Sequence, residues 1–170
     1  MPHRLLTPDL IVRHVSEAGV DVLHSRGIRA VVTDLDNTLV GWHSEAVERE
    51  VETWLAALRS AGFGVCIASN TRNLPRLSRV AAQLGVLHVP GNAQKPRTSG
   101  LRRALALLNT KPNETAMVGD QLFTDIVAGN RLGLTTVLVN PLSSREFIGT
   151  RLVSRTAERF VLRGSLRRAR

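Results

Sequence analysis

Short apolar runs rich in Val, Ile and Ala alternate along this chain with amphipathic segments long enough for about three helical turns, and that alternation constrains the fold more than any other feature. Strands are expected over residues 28–33, 64–68, 86–89, 116–118 and 135–139. Between the first two, Val47, Val51, Trp54, Leu55 and Leu58 mark the packed face of a helix; further helices are expected over 73–84, 99–108 and 120–131. Strands separated by helices describe βαβ units and a mostly parallel sheet, an α/β, Rossmann-like three-layer sandwich. Residues 10–23 are expected to form one short helix and a turn, broken at Gly19.

The chain has 170 residues, enough for one well-filled core. Residues 1–150 are read as a single domain that includes the N-terminal segment, and residues 151–170 as a basic helix or tail. Aromatics make up 4% of the chain and Tyr is absent, so small aliphatic side chains must fill the interior, as a sheet covered on both faces allows. No apolar stretch reaches the roughly 18–20 residues that span a bilayer. The first nine residues carry no apolar core or cleavage-like site, so secretion is not expected and the reading is cytoplasmic. Cys66, the one cysteine, sits in an apolar run and is expected to be a buried strand thiol.

In parallel sheets ligands bind at the carboxyl ends of the strands, so polar residues at those ends carry the functional information. The first strand, Val31-Val32-Thr33, drives into Asp34-Leu35-Asp36-Asn37-Thr38. The second ends in Ser69-Asn70, the segment after the third holds Lys95-Pro96, and the fourth ends in Gly119-Asp120 with Asp125 five residues on. Singly, each has an ordinary structural explanation as a helix cap or a solvated end. Jointly they can meet on one rim, where carboxylates seat a hard cation and a nucleophile.

This constellation resembles the haloacid dehalogenase-like superfamily of aspartyl phosphatases. Asp34-Leu35-Asp36-Asn37-Thr38 matches its Asp-x-Asp-x-Thr motif, Ser69 its strand-terminal Ser or Thr, Lys95 its Lys, and Gly119-Asp120 with Asp125 its acidic cluster. The closer likeness is to the small bacterial branch of the subclass IIIA phosphatases related to phosphatidylglycerophosphate phosphatases. It runs over about residues 5–160, through Leu6-Thr7-Pro8-Asp9, Gly119-Asp120-Gln121-Leu122-Phe123-Thr124-Asp125-Ile126, Gly129-Asn130-Arg131 and Asn140-Pro141-Leu142-Ser143. His43 stands where relatives often carry an acidic residue.

The resemblance implies a Mg²⁺-dependent phosphomonoester hydrolase with Asp34 as nucleophile and Asp36 as general acid and then base. It implies Asp34, Asp120 and Asp125 as metal ligands, with the main-chain carbonyl of Asp36 among them. Ser69, Asn70 and Lys95 are implied to bind the phosphoryl group, and Thr38 to stabilise the turn that positions Asp36. Mg²⁺ also suits an oxygen-only donor set without a His/Cys cluster. Arg72, beside the second motif, is either a site for a second anionic group or a surface arginine.

The intervals between motifs leave no room for an inserted cap domain, so the fold is expected to be a capless haloacid dehalogenase-like one with an open site. An open rim suits a large substrate or a lipid headgroup at a membrane surface, and a phosphatidylglycerophosphate is the leading candidate. A soluble sugar phosphate, a nucleotide or a phosphorylated macromolecule is the enzymatic alternative, and a non-catalytic basic anion-binding protein is the other. The formal charge of +9 favours phosphate-rich partners. Seven Arg and one Glu after residue 150 supply much of it, with Arg151, Arg155, Arg159 and Arg163 four residues apart. They fit either a helix lying on anionic lipid or a solvated basic end. The sequence carries no aromatic RNA platform or helix-turn-helix signature to favour a nucleic-acid partner, and it leaves the oligomeric state open.

Overall fold

The structure, a computed structural model, describes residues 5–142. In chain order its strands are β1 (Leu10–Val12), β2 (Ala30–Thr33), β3 (Gly64–Ile67), β4 (Leu87–His88), β5 (Thr115–Gly119) and β6 (Thr135–Val139). The helices are α1 (Val20–His24), α2 (Arg49–Ser60), α3 (Leu74–Leu84), α4 (Ser99–Leu108) and α5 (Val127–Leu132). All strand pairs are parallel, in the order β1-β6-β5-β2-β3-β4.

Side chains alternate between the two faces of a strand, and here both faces are buried. Val31, Val65, Ile67, Ala116 and Val118 join one apolar cluster with Val51, Trp54, Leu55 and Leu58 of α2 and Leu77, Val80 and Leu84 of α3. Val32, Cys66 and Met117 join a second with Leu101, Ala104 and Leu105 of α4 and Ala128 of α5. The result is the expected three-layer α/β sandwich. Cys66 is buried in the second layer, and burial pushes its thiol up to about 12, so it is inert at neutral pH.

The chain moves outward from β2 through β3 to β4, then returns to β5 beside β2 and moves outward the other way. The crevice beyond the ends of β2 and β5 is therefore the topological switch point, where open α/β sheets bind their ligands.

The N-terminal element differs from expectation. Residues 10–12 form an edge strand, not a helix, paired in parallel with β6 (Leu10 beside Val137). Asp9 makes the pairing: its N–H donates to the Thr136 carbonyl at 3.0 Å, and its carboxylate accepts from the Thr136 N–H at 2.8 Å. Tertiary pairing across more than 120 residues overrides the local apolar spacing. The basic segment 151–170 lies outside the described residues.

Candidate active site

β2 stops at Thr33, and the Asp34 N–H continues its ladder with β5 by donating to the Val118 carbonyl at 2.9 Å. The two strands thus leave Asp34 and Asp120 at neighbouring ends. Asn37, in the left-handed region at φ 62°, turns the chain after Asp36. A carboxylate oxygen of each of Asp34, Asp120 and Asp125 lies within 4.8 Å of the others, all three residues being buried.

Lys95 is the positive centre of this cluster. Its Nζ donates to Asp34 Oδ1 and to Asp125 Oδ1, both at 2.7 Å, and its side chain is 1% exposed. Burial opposes the charge on Lys95, but Asp125 and Asp34 outweigh it and hold the ammonium above its usual range. Ser69, Lys95, Asp125, Asp34 and Asp36 line a cleft of about 350 Å³, together with Trp42, His43, Asn70, Thr71, Arg72, Gln121 and Thr124. Asp120 completes the group through the carboxylate cluster.

Other residues hold this arrangement. Asn70 grips the main chain of Lys95 from both sides, its Nδ2 donating to the Lys95 carbonyl and its Oδ1 accepting from the Lys95 N–H, each at 2.8 Å. Asn70 thus orients the lysine while itself lining the cleft. Ser69 Oγ accepts from the Thr71 N–H at 3.2 Å and retains its own O–H to donate. Thr38 donates its N–H to the Leu35 carbonyl at 3.4 Å, in the turn that contains Asp36, and its hydroxyl reaches Asp120 Oδ1 at 3.4 Å, which also ties it to the acidic cluster. The segment expected as a plain helix from residue 120 opens with a π turn, Leu122–Ile126, before α5. In that turn Asp125 Oδ2 accepts from the Gln121 N–H at 3.1 Å, which holds the carboxylate back toward Lys95.

Gly119 makes room for Asp125: a Cβ there would lie 2.2 Å from Asp125 Oδ2. Gly119→Ala is expected to displace the carboxylate, weaken Mg²⁺ binding and lower turnover by roughly 100-fold, the cost of an ångström-scale misplacement. A Mg²⁺ titration followed by steady-state kinetics checks both.

Three buried carboxylates facing one ammonium leave an excess of negative charge. Burial pushes Asp120 up to about 8, with Asp34 and Asp125 adding to the rise. Burial likewise pushes Asp34 up to about 6; Lys95 pulls it back and Asp125 adds to it. An all-oxygen donor set with surplus charge fits a hard divalent cation such as Mg²⁺. The side chain of Asp36 lies outside this cluster, drawn instead to Arg76 of α3, whose Nη2 donates to Asp36 Oδ1 at 2.8 Å.

Arg76 is the site residue that sequence reasoning missed. The signal for it was a charged residue four before Val80, on the stripe of α3 that Leu77, Val80, Ala81 and Leu84 bury.

A family model described as mitochondrial PGP (phosphatidylglycerophosphate) phosphatase matches residues 1–143. The chain belongs to this family. It is 32% identical over 162 residues to the "Probable phosphatase YqeG" of Bacillus subtilis, covering 95% of this chain and 92% of that one. It is 28% identical over 151 residues to the chloroplastic/mitochondrial phosphatidylglycerophosphate phosphatase 1 of Arabidopsis thaliana, covering 84% of this chain and 43% of that one. The fold is similar to that of the cobalt-bound deoxy-D-mannose-octulosonate 8-phosphate phosphatase of Haemophilus influenzae. The TM-score is 0.54 at 22% identity, over 67% of this chain and 69% of that one. The fold is the capless haloacid dehalogenase-like one, and this family member is a phosphatase, a phosphoric monoester hydrolase, whose buried three-aspartate cluster is compatible with a divalent cation such as Mg²⁺.

Proposed function

We propose that the enzyme hydrolyses a small, polar phosphate monoester through an aspartyl-phosphate on Asp34. The observation that carries this reading is the bridge of Lys95 between Asp34 and Asp125 at 2.7 Å each, with Asp120 in the same cluster at the floor of an open cleft. A phosphate monoester resists hydrolysis because an anionic nucleophile must approach an anionic phosphoryl group. Lys95 and the Ser69 hydroxyl supply donors to the phosphoryl oxygens, and the ammonium keeps one Asp34 oxygen fixed beside them. When bound, a divalent cation held by Asp34, Asp120 and Asp125 would neutralise phosphoryl charge as a Lewis acid.

In the first half-reaction an Asp34 carboxylate oxygen bonds to phosphorus as the bond from phosphorus to the alcohol oxygen breaks. Asp36 gives that oxygen its proton. In the second, water attacks phosphorus, the bond from phosphorus to Asp34 breaks, and Asp36 takes the proton that the water loses. The products are the alcohol and inorganic phosphate, with Asp34 and Asp36 restored.

The substrate reading rests on the cleft. About 350 Å³ edged by His43, Arg72, Gln121 and Thr124 suits a hydroxylated leaving group, as in a sugar phosphate or a nucleotide. Membership of the PGP phosphatase family favours a second reading, a phosphatidylglycerophosphate in which only the headgroup enters the cleft. We infer on the same basis that the chain falls in subclass IIIA. A panel of an aryl phosphate, sugar phosphates, nucleoside monophosphates and phosphatidylglycerophosphate in mixed micelles, each with Mg²⁺, tests both. A kcat/KM for a soluble ester well above that for the micellar lipid supports the first reading; the reverse order replaces it with the second. Turnover of none of them across metals and pH would overturn the catalytic proposal.

A further inference from the structure

Arg76 is 3% exposed, among the most deeply buried charged residues described, and the mechanism above does not use it. A buried guanidinium is costly unless its donors are met, and an apolar side chain on the same stripe would pack as well. Here its donors go to two places. Nη2 donates to Asp36 Oδ1 at 2.8 Å, and Nε donates to the main-chain carbonyl of Ser44 at 3.0 Å. The His43 N–H reaches the same Asp36 oxygen at 3.3 Å. Asp36 Oδ1 is therefore fixed by two donors, which leaves Oδ2 to exchange the proton.

The guanidinium stands on a rigid base. Asn73 Oδ1 caps the first turn of α3 by accepting from the Arg76 N–H at 3.1 Å, with Pro75 in that turn. The Ser44 carbonyl belongs to the loop that carries Trp42 and His43 to the mouth of the cleft, and His43 there adopts a left-handed backbone at φ 56°. One planar cation thus ties a helix, the mouth loop and the carboxylate assigned to proton transfer.

We propose that Arg76 is a positioning residue for catalysis, holding Asp36 and the mouth loop in a single arrangement from which Asp36 exchanges its proton. This rests on the phosphatase reading of the site. The consequence falls unequally on the two half-reactions. With an aryl phosphate the leaving group departs without help from an acid, so formation of the aspartyl-phosphate is spared when Asp36 is misplaced. Attack by water still needs Asp36 as base.

The experiment is rapid mixing of the full chain with p-nitrophenyl phosphate and Mg²⁺, comparing wild type, Arg76→Gln, Asp36→Asn and the double variant. For Arg76→Gln we expect a burst of nitrophenolate near one equivalent and a kcat lower by roughly 10–100-fold. Inhibition by inorganic phosphate should stay within about twofold, and the double variant should be no slower than Asp36→Asn alone, because residues acting as one unit are non-additive. If Arg76→Gln does not fold, Arg76→Lys carries the test. It keeps the charge and loses the two-pronged geometry, so the same burst is expected with a smaller fall in kcat. Losses that multiply in the double variant, or a proportional fall in both half-reactions with no burst, would reduce Arg76 to a packing role and overturn the proposal. Absence of turnover by wild type on every phosphomonoester would instead remove the phosphatase reading, and the proposal with it.

Discussion

Asp34→Asn is expected to slow phosphate release by about four orders of magnitude or more while melting no lower than wild type. The loss follows from chemistry: a carboxamide oxygen is too weak a nucleophile to form the acyl phosphate, and removing a covalent nucleophile costs about that much or more where it has been measured. Retained stability follows from the cluster. Asn keeps the shape of Asp and an acceptor oxygen for Lys95, which still has Asp125 at 2.7 Å as its anionic partner. One of three crowded carboxylates disappears, and with it a group that burial pushes up to about 6. Such a group, protonated more readily in the folded chain than in the unfolded one, favours the native state below its usual value of 3.8. That contribution is lost as pH rises through about 6. At pH 7 without metal, therefore, the variant sheds a cost that wild type bears. Aryl phosphate turnover and thermal melts in chelator check the two halves separately. Turnover within tenfold of wild type would place the nucleophile elsewhere.

Much of this site was legible because its residues sit where the strand pattern ends. The order of strands and helices follows from apolar periodicity, and both faces of β2 read as buried because Val31 and Val32 point opposite ways into separate layers. Asp34, Ser69, Lys95 and Asp120 each follow a strand, so knowing that the sheet was parallel was enough to bring them to one rim. What the sequence concealed depends on partners distant in the chain. Residues 10–12 become a strand only because β6 offers an edge and Asp9 finds Thr136. The π turn at 122–126 arises where Asp125 must reach Lys95 and the Gln121 N–H together, a demand that helical spacing does not display. That Asn70 also grips the main chain of Lys95 is invisible until the two segments are brought together. Arg76 is hidden by its own charge: a burial stripe is read from apolar residues, so a cation within it passes for surface.

The same surplus of charge gives Asp120 opposite effects on stability and on activity. Asp120→Asn is expected to abolish Mg²⁺-dependent turnover, because it removes a ligand from the three-carboxylate set, and yet to raise the melting temperature of the metal-free chain at alkaline pH. Burial, with Asp34 and Asp125 beside it, lifts Asp120 from the usual 3.8 to about 8. Its contribution to folding is complete only below the unfolded value and is lost as pH rises through about 8, where the proton leaves and a charge is stranded among charges. Below about pH 4 the wild-type side chain is protonated in the folded and unfolded chains alike, and pH should have no differential effect on the two proteins there. From about pH 4 to pH 8 the variant should gain steadily on wild type, and above 8 the gap should stay constant; because Asp34 and Asp125 act on Asp120, the gap reports the titration of the coupled cluster. Mg²⁺ acts on the same equilibrium from the other side, since it binds the ionised carboxylate and must displace the proton. Wild-type affinity should therefore weaken about tenfold per pH unit below 8, and more steeply once Asp34 takes up its proton near pH 6. Thermal melts at pH 5, 7 and 9, in chelator and in graded Mg²⁺, measure all of this in one series. A wild-type minus variant difference that stays flat from pH 5 to 9 would mean that the Asp120 carboxylate carries no such strain, and the charge argument for a cation at this site would lose its footing.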